Sequence, residues 1–245
     1  MIHQDISWLG RTSLLIGEDK VRRLTQKHVM VVGMGGVGSF AAEFICRSGI
    51  GKMSIIDGDV VDPTNRNRQL PALAINHGES KADIMAERLK AINPELQLNV
   101  IKEFINPDMV SRLMELKPDY IIDAIDSVTP KITLLIHAYQ EKIPIVSSMG
   151  AGAKLDPTMI RVTDISKTHI CPFAQQIRKR LKKENIYKGI KTVFSPEEPI
   201  WDSLMLTDGT KYKRSAYGTI SYLPAAFGGA CASVVIRDFI RSDAE

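Results

Sequence analysis

Gly33-Met34-Gly35-Gly36-Val37-Gly38 follows a short apolar run, Val29–Val32, and opens a helical pattern through Phe40, Ala41, Phe44 and Ile45. Glycines in that context serve phosphate chemistry. Gly33 permits the tight turn, Gly35 lets a phosphate approach the backbone, and Gly38 allows close packing of helix on strand. Gly36 belongs to the same cradle, and the helix N-terminus beyond it offers unpaired N–H groups to an anion. Asp57 stands nineteen residues past Gly38, at the end of the next apolar run. An acid there binds ribose hydroxyls of NAD or of ATP, so the pattern alone leaves the two nucleotides tied.

The residues behind Asp57 break the tie. Asp57-Gly58-Asp59 leads into Asn65-Arg66-Asn67-Arg68-Gln69, and Lys81 then enters the next helix. A dinucleotide's pyrophosphate is held mainly by backbone amides, whereas a triphosphate reacting at its α-phosphorus needs Arg, Lys and Mg2+. One isolated basic residue usually marks a solvated surface; Arg68 and Lys81 flanking a glycine loop favour function. Asp126 lies just past the apolar run Tyr120–Ala124, where a carboxylate could hold Mg2+ against phosphates. Asp123, inside that run, reads as a structural hydrogen-bonding acid. On the residues alone this is a nucleoside-triphosphate enzyme whose acceptor is unspecified.

These groups need a scaffold that brings strand ends together. Further apolar runs occur at Met53–Ile56, Leu98–Ile101 and Ile145–Ser147, with helical spacing in Glu79–Ile92, Val110–Leu116 and Ile132–Tyr139. Strands alternating with helices predict an α/β fold of the Rossmann type, doubly wound, with a mainly parallel sheet. Right-handed crossovers then put every strand's C-terminus on one edge, where ligands bind.

The pattern changes after about residue 152. Residues 167–214 hold eleven Lys and Arg against five Asp and Glu, so the chain's net charge of +4 resides there. Ala174–Lys183 places Ile177 and Leu181 on one helical face and Arg178, Lys179, Arg180, Lys182 and Lys183 around the rest. Such a helix alone is more often a solvated face. Lys188, Lys191, Lys211, Lys213 and Arg214 extend the sign, and Phe173, Tyr187, Trp201, Tyr212 and Tyr217 are interleaved. A basic stripe with aromatics suits RNA phosphates and splayed bases.

Three cysteines, Cys46, Cys171 and Cys231, form no C-x-x-C pair. That odd, widely spaced count argues against a disulfide framework or a four-cysteine zinc site, and a reducing cytoplasm fits best. The N-terminus shows no basic stretch followed by an apolar run, so no secretory signal is expected. Residues 215–236 carry no charge and are long enough to span a bilayer. Gly218, Pro224, Gly228 and Gly229 interrupt them, which reads as a loop and a buried helix rather than a membrane insertion.

Taken together, Gly33–Gly38, Asp57-Gly-Asp59, Asn65-x-x-Arg68-Gln69, Lys81, Ala91-Ile92-Asn93-Pro94 and Asp123-Ala-Ile-Asp126 resemble the ubiquitin-activating-enzyme-like superfamily over roughly residues 10–150. That resemblance implies ribose binding by Asp57, phosphate binding by Asn65, Arg68 and Lys81, and Mg2+ at Asp126. It also implies that Arg11 reaches the neighbouring subunit's ATP in a homodimer. The sulfur-carrier branch usually has two C-x-x-C zinc pairs, which this chain lacks. Asp164-Ile-Ser-Lys-Thr, Pro172–Lys183, Val193-Phe-Ser-Pro-Glu197 and Pro224-Ala-Ala-Phe227-Gly228 look instead like the branch that dehydrates threonylcarbamoyladenosine in tRNA.

The likeness implies one adenylation domain over 1–245, with a nucleotide-binding part at 1–152. Residues 153–245 would supply the basic tRNA-facing segment and a C-terminal helix. It implies ATP and Mg2+ as cofactors, with a monovalent cation and a sulfur-relay protein as further candidates. The substrate's own ureido group would be the attacking group, so no enzyme nucleophile is required. Cys171, beside Pro172 at the start of the basic helix, is the one cysteine placed to be nucleophilic, against the ordinary reading of a small buried hydrophobe. Three other functions compete: adenylation of a ubiquitin-like sulfur carrier, NAD-dependent oxidoreduction, and RNA binding without catalysis.

Overall fold

A computed structural model of the chain describes residues 5–206 and 215–241. Two short helices, α1 (Gly10–Ile16) and α2 (Glu18–Leu24), lead into β1 (His28–Val32), α3 (Gly38–Arg47) and β2 (Lys52–Ile56). Then follow α4 (Lys81–Ile92), β3 (Gln97–Ile101), α5 (Pro107–Met114), β4 (Tyr120–Asp123), α6 (Val128–Gln140) and β5 (Ile145–Ser148). The last third comprises β6 (Arg161–Asp164), α7 (Pro172–Lys183), β7 (Lys191–Phe194), a hairpin of β8 (Leu204–Leu206) and β9 (Ser215–Tyr217), and α8 (Tyr222–Arg241).

Seven strands form one sheet in the order β3-β2-β1-β4-β5-β7-β6. All its pairings are parallel except that of β6 with β7. Every residue of β1 is buried, as a central strand covered on both faces requires. Its pleat splits the core in two. Val29 and Val31 join Leu223, Phe227 and Val235 of α8 on one face, while Met30 and Val32 join Leu134, Leu135, Ile177 and Leu181 on the other. The chain leaves β1 toward β2 and β3, then returns to β4 on β1's other side. The crevice between β1 and β4 is therefore the topological switch point.

Local signals account for several boundaries. Helix α4 begins at Lys81 because the Ser80 hydroxyl accepts from the Asp83 N–H at 3.3 Å. Helix α5 begins earlier than its apolar spacing indicates, since Asn106 caps it and Pro107 opens it. Phe44, expected on the buried face of α3, is 40% exposed. Helix α8 crosses α3 at Gly228, where a Cβ would lie 2.6 Å from the Val37 carbonyl, too close for a ring to be enclosed. The Phe44 ring lies instead over Gly229. The uncharged stretch 215–236 opens with strand β9 where a loop was expected. From Tyr222 on it forms most of α8, whose Leu223, Phe227, Cys231, Val234 and Val235 pack into the core.

Candidate active site

Three loops converge at the C-terminal ends of β1, β2 and β4. The glycine loop turns at Gly33, whose φ of +94° suits glycine. A Cβ there would lie 3.0 Å from the Ala124 carbonyl, and one on Gly38 would lie 1.7 Å from the Gly33 carbonyl. The loop thus folds onto its own helix and across the end of β4 with no room for a side chain at Gly33 or Gly38. Gly36 faces the Arg68 carbonyl and Pro224 of α8, and Gly35 faces the Gln69 amide 3.9 Å away.

Asp57 ends β2 and clamps this loop. Its Oδ2 accepts from the Met34 N–H at 2.6 Å and its Oδ1 from the Asp59 N–H at 2.7 Å. Burial pushes its carboxyl above the usual range, opposed by the charge of Lys81. Lys81 is buried at the first position of α4, with Nζ 3.2 Å from Asp59 Oδ2. Asn65 is buried too, and its Oδ1 accepts from the Asp62 N–H at 3.2 Å within a capping box.

Arg68 donates to the Thr64 carbonyl at 3.0 Å and to Asn67 Oδ1 at 2.9 Å. Burial lowers its guanidinium pKa, while the Asp126 and Asp62 carboxylates oppose that shift. Arg68 and Asp126 therefore feel one another across the crevice, the first from the loop after β2 and the second from the turn after β4. Asp126 is exposed there. Gly33, Gly35, Gly36, Gly38, Asp57, Asp59, Asn65, Arg68, Lys81 and Asp126 are all brought to one sheet edge.

Arg11 is not brought there within the chain. It is exposed on α1, and Leu9 beside that helix packs at Gly49, past the far end of α3. Ten residues of helix separate Gly49's end of α3 from the glycine loop, about 15 Å.

Two side chains at this edge carry no chemical signature in the sequence. Lys131 is wholly buried, 2.7 Å from Asp123 Oδ2, and donates to the Ile125 carbonyl at 3.0 Å. Asp123 also accepts from the Ser147 hydroxyl at 2.6 Å and the Ile125 N–H at 3.1 Å, so it shapes the turn that carries Asp126. Gln69 has a buried Oε1 without a hydrogen-bond partner beside the glycine loop. That orphan, with a cradle any Cβ would fill, fits a nucleotide whose hydroxyls and phosphates complete the site. In the sequence Gln69 closes the Asn65-x-x-Arg68-Gln69 motif, which gives it no role of its own.

Farther along the edge, Lys154 is buried and donates to the Ser195 carbonyl. Cys171 is buried at the N-cap of α7, and the Cys231 thiol is pushed up to about 12 by burial, which removes it as a nucleophile. In α7, Lys179, Arg180, Lys182 and Lys183 are exposed, whereas half-buried Arg178 donates to the Thr168 hydroxyl. Among the aromatics, Tyr187 is exposed, Phe173 lies under the Lys131 ammonium, and Trp201 meets Tyr217 edge to face. Lys211, Tyr212, Lys213 and Arg214 lie outside the described residues.

A glycine cradle at a switch point, an acid at the end of β2 and cations on the following loop define a nucleotide-binding enzyme of the Rossmann type. Comparison with known proteins makes the class specific. Residues 9–243 match the ThiF family, and the chain belongs to it. The tRNA threonylcarbamoyladenosine dehydratase of Escherichia coli is 42% identical over 239 residues, covering 94% of this chain and 88% of that protein. The Bacillus subtilis enzyme of the same name is 44% identical over 200 residues, covering 82% and 77%. The crystal structure of the E. coli enzyme with ATP superposes with a TM-score of 0.89 at 38% identity, covering 99% of each chain.

Proposed function

We propose that this chain is an ATP-dependent tRNA threonylcarbamoyladenosine dehydratase. The observation that carries the reading is near-full-length likeness to enzymes of that name, with the ATP-bound relative sharing the fold throughout. The site residues above then take defined roles. The substrate carboxylate attacks the α-phosphorus of ATP, its new P–O bond replacing the bond to pyrophosphate. The neighbouring ureido group next attacks the activated acyl carbon, AMP departs with the electron pair of the C–O bond, and the ureido proton is lost. A ring closes and one water is removed overall.

Asp57 binds the ribose, and the glycine-loop amides, Asn65, Arg68 and Lys81 face the phosphates. Asp126 is the carboxylate that would hold Mg2+, which supplies further positive charge to the phosphates when bound. Arg68 and Lys81 stabilise charge developing at the α-phosphorus, the step at which preorganised cations count most. Proximity drives ring closure, because attacking and leaving groups belong to one molecule. The chemistry needs neither a sulfur-relay partner nor a monovalent cation.

The enzyme works as a homodimer in this reading. Arg11 lies far from its own chain's nucleotide loop, and Leu14 and Leu15 beside it are 85% and 84% exposed on a helix with no buried residue. Such a face calls for a partner. All three cysteines are unpaired, which supports a reducing, cytoplasmic setting.

The test incubates the protein with Mg-ATP and tRNA bearing threonylcarbamoyladenosine, then weighs the released nucleosides while following AMP. ATP-dependent loss of one water from that nucleoside, with matching AMP, is expected. AMP and pyrophosphate without any change in the tRNA would refute the acceptor and direct attention to a carrier protein's C-terminus.

A further inference from the structure

Helix α7 is anchored at the catalytic edge and leads away from it. At its first turn Phe173 lies against Gly150, where a Cβ would sit 3.5 Å from the Phe173 Cβ, and beneath the ammonium of Lys131. At its other end the chain turns through Gly189, whose N–H donates to Asp164 Oδ2 at 2.6 Å, and enters β7 parallel to β5. The helix therefore runs antiparallel to the strands, from the site's edge to the opposite one. Twelve residues span about 18 Å.

Its inner face, Ala174, Ile177 and Leu181, is buried against α6 and its neighbours. Gln175, Lys179 and Lys183 follow one another at spacings of four along the outer face, with Lys182 alongside, and all are exposed. Lys167 is exposed next to Thr168, which holds Arg178, and Lys188 is exposed beyond the helix end. No acidic residue occurs between Pro172 and Lys183.

That composition works against the helix by itself. Arg178–Lys182 and Lys179–Lys183 are like-charge pairs at i,i+4, which destabilise a helix on their own. The helix dipole favours Arg180, Lys182 and Lys183 in the last turn. It does not account for Lys179 in mid-helix or for a first turn without an acid. A polyanion laid along the outer face would relieve the repulsion and release its own counterions.

We infer that the outer face of α7 is the docking track for the double-stranded RNA stem that carries the target loop. The loop meets the catalytic edge near Gly150, and the stem lies along Gln175, Lys179, Lys182 and Lys183 toward the opposite edge. The inference rests on the tRNA reading above and adds the substrate's orientation. Recognition of this kind reads A-form backbone and shape rather than sequence.

The experiment pairs Lys179→Ala/Lys183→Ala with two RNAs: whole tRNA, and a hairpin keeping the anticodon loop but with its stem cut back to the closing pairs. Affinity of the double variant for whole tRNA is expected to fall about tenfold, and the slope of log K against log salt to shrink by about two. For the cut-back hairpin the loss is expected to stay below about twofold. Unchanged ATP affinity checks that the variant is folded. An equal loss for both RNAs, or no loss for whole tRNA, overturns the inference. Binding is measured with unmodified tRNA, so the docking is decided even if the dehydration assay fails and the functional reading falls.

Discussion

Replacing Lys131 by methionine should cost more stability than any ordinary surface change and should also misplace Asp126. Lys131 and Asp123 are 0% exposed and 2.7 Å apart. At an effective dielectric of about 20 their attraction is about 6 kcal/mol, comparable with the several kcal/mol needed to desolvate each ion. The pair as a whole therefore contributes little net stability. Removing one partner is different, because the other stays buried without its counter-charge. Lys131→Met is expected to cost about 3–5 kcal/mol, lowering Tm by about 6–20 °C for a chain of this size.

Lys131→Met/Asp123→Asn should recover more than half of that loss. A residue of about 1 kcal/mol should remain, since Lys131 also donates to the Ile125 carbonyl. Thermal unfolding at one fixed protein concentration measures all three, the concentration being held because the proposed dimer would make Tm depend on it. A single variant within 2 °C of the parent, about 1 kcal/mol or less, would refute the argument. So would a double variant no more stable than the single one.

Asp126→Ala should leave ATP and tRNA binding within about twofold and lower turnover by about 100- to 1000-fold, as loss of one charge-organising group does; equal loss of tRNA binding and turnover would remove the role assigned to it. Arg11→Ala and Lys81→Ala chains should each be inactive, yet mixing them should restore about a quarter of parental activity, because half the dimers then hold one intact composite site. Persistent inactivity after verified subunit exchange would rule out the shared site. His28 supplies a pH dependence. It is 6% exposed, its Nε2 lies 2.9 Å from the Ser54 hydroxyl, and burial, then the charge of Lys52, lowers its pKa below the ordinary 6.5. The unfolded chain takes up that proton at higher pH than the folded one, so this contribution is full above 6.5 and lost as pH falls through the folded value. Tm followed from pH 8 to pH 5 should show the decline, and His28→Gln should flatten it; an unchanged slope would exclude the residue.

The glycine loop and Asp57 were legible because each places a demand on the backbone that few residues meet. Gly38 must be glycine to clear the Gly33 carbonyl, and such constraints leave their mark in the order of residues. Strands β6 and β9 left none, and the three apolar residues of β8, Leu204-Met205-Leu206, are too short a run to mark a strand. Arg161–Asp164 offers one apolar residue, Val162, itself 42% exposed on an edge strand, so no alternation marks it. Arg11 is chemically mute in the chain alone, because its proposed target lies on a second copy. Lysines misled in another way. A bulk count of charge assigns the positive surface to residues 167–214, yet cations at the catalytic edge include Lys81, Lys131 and Lys154, all buried and outside that segment. Lys81 and Lys131 are matched by Asp59 and Asp123, and Lys154 rests on a backbone carbonyl. They can orient loops and phosphates at short range but attract little from afar. The exposed lysines of α7 do the reverse, since their charges reach outward by a Debye length of about 8 Å. On the proposed reading, capture of an RNA polyanion and organisation of the nucleotide site thus fall to two sets of lysines, and burial is what separates them.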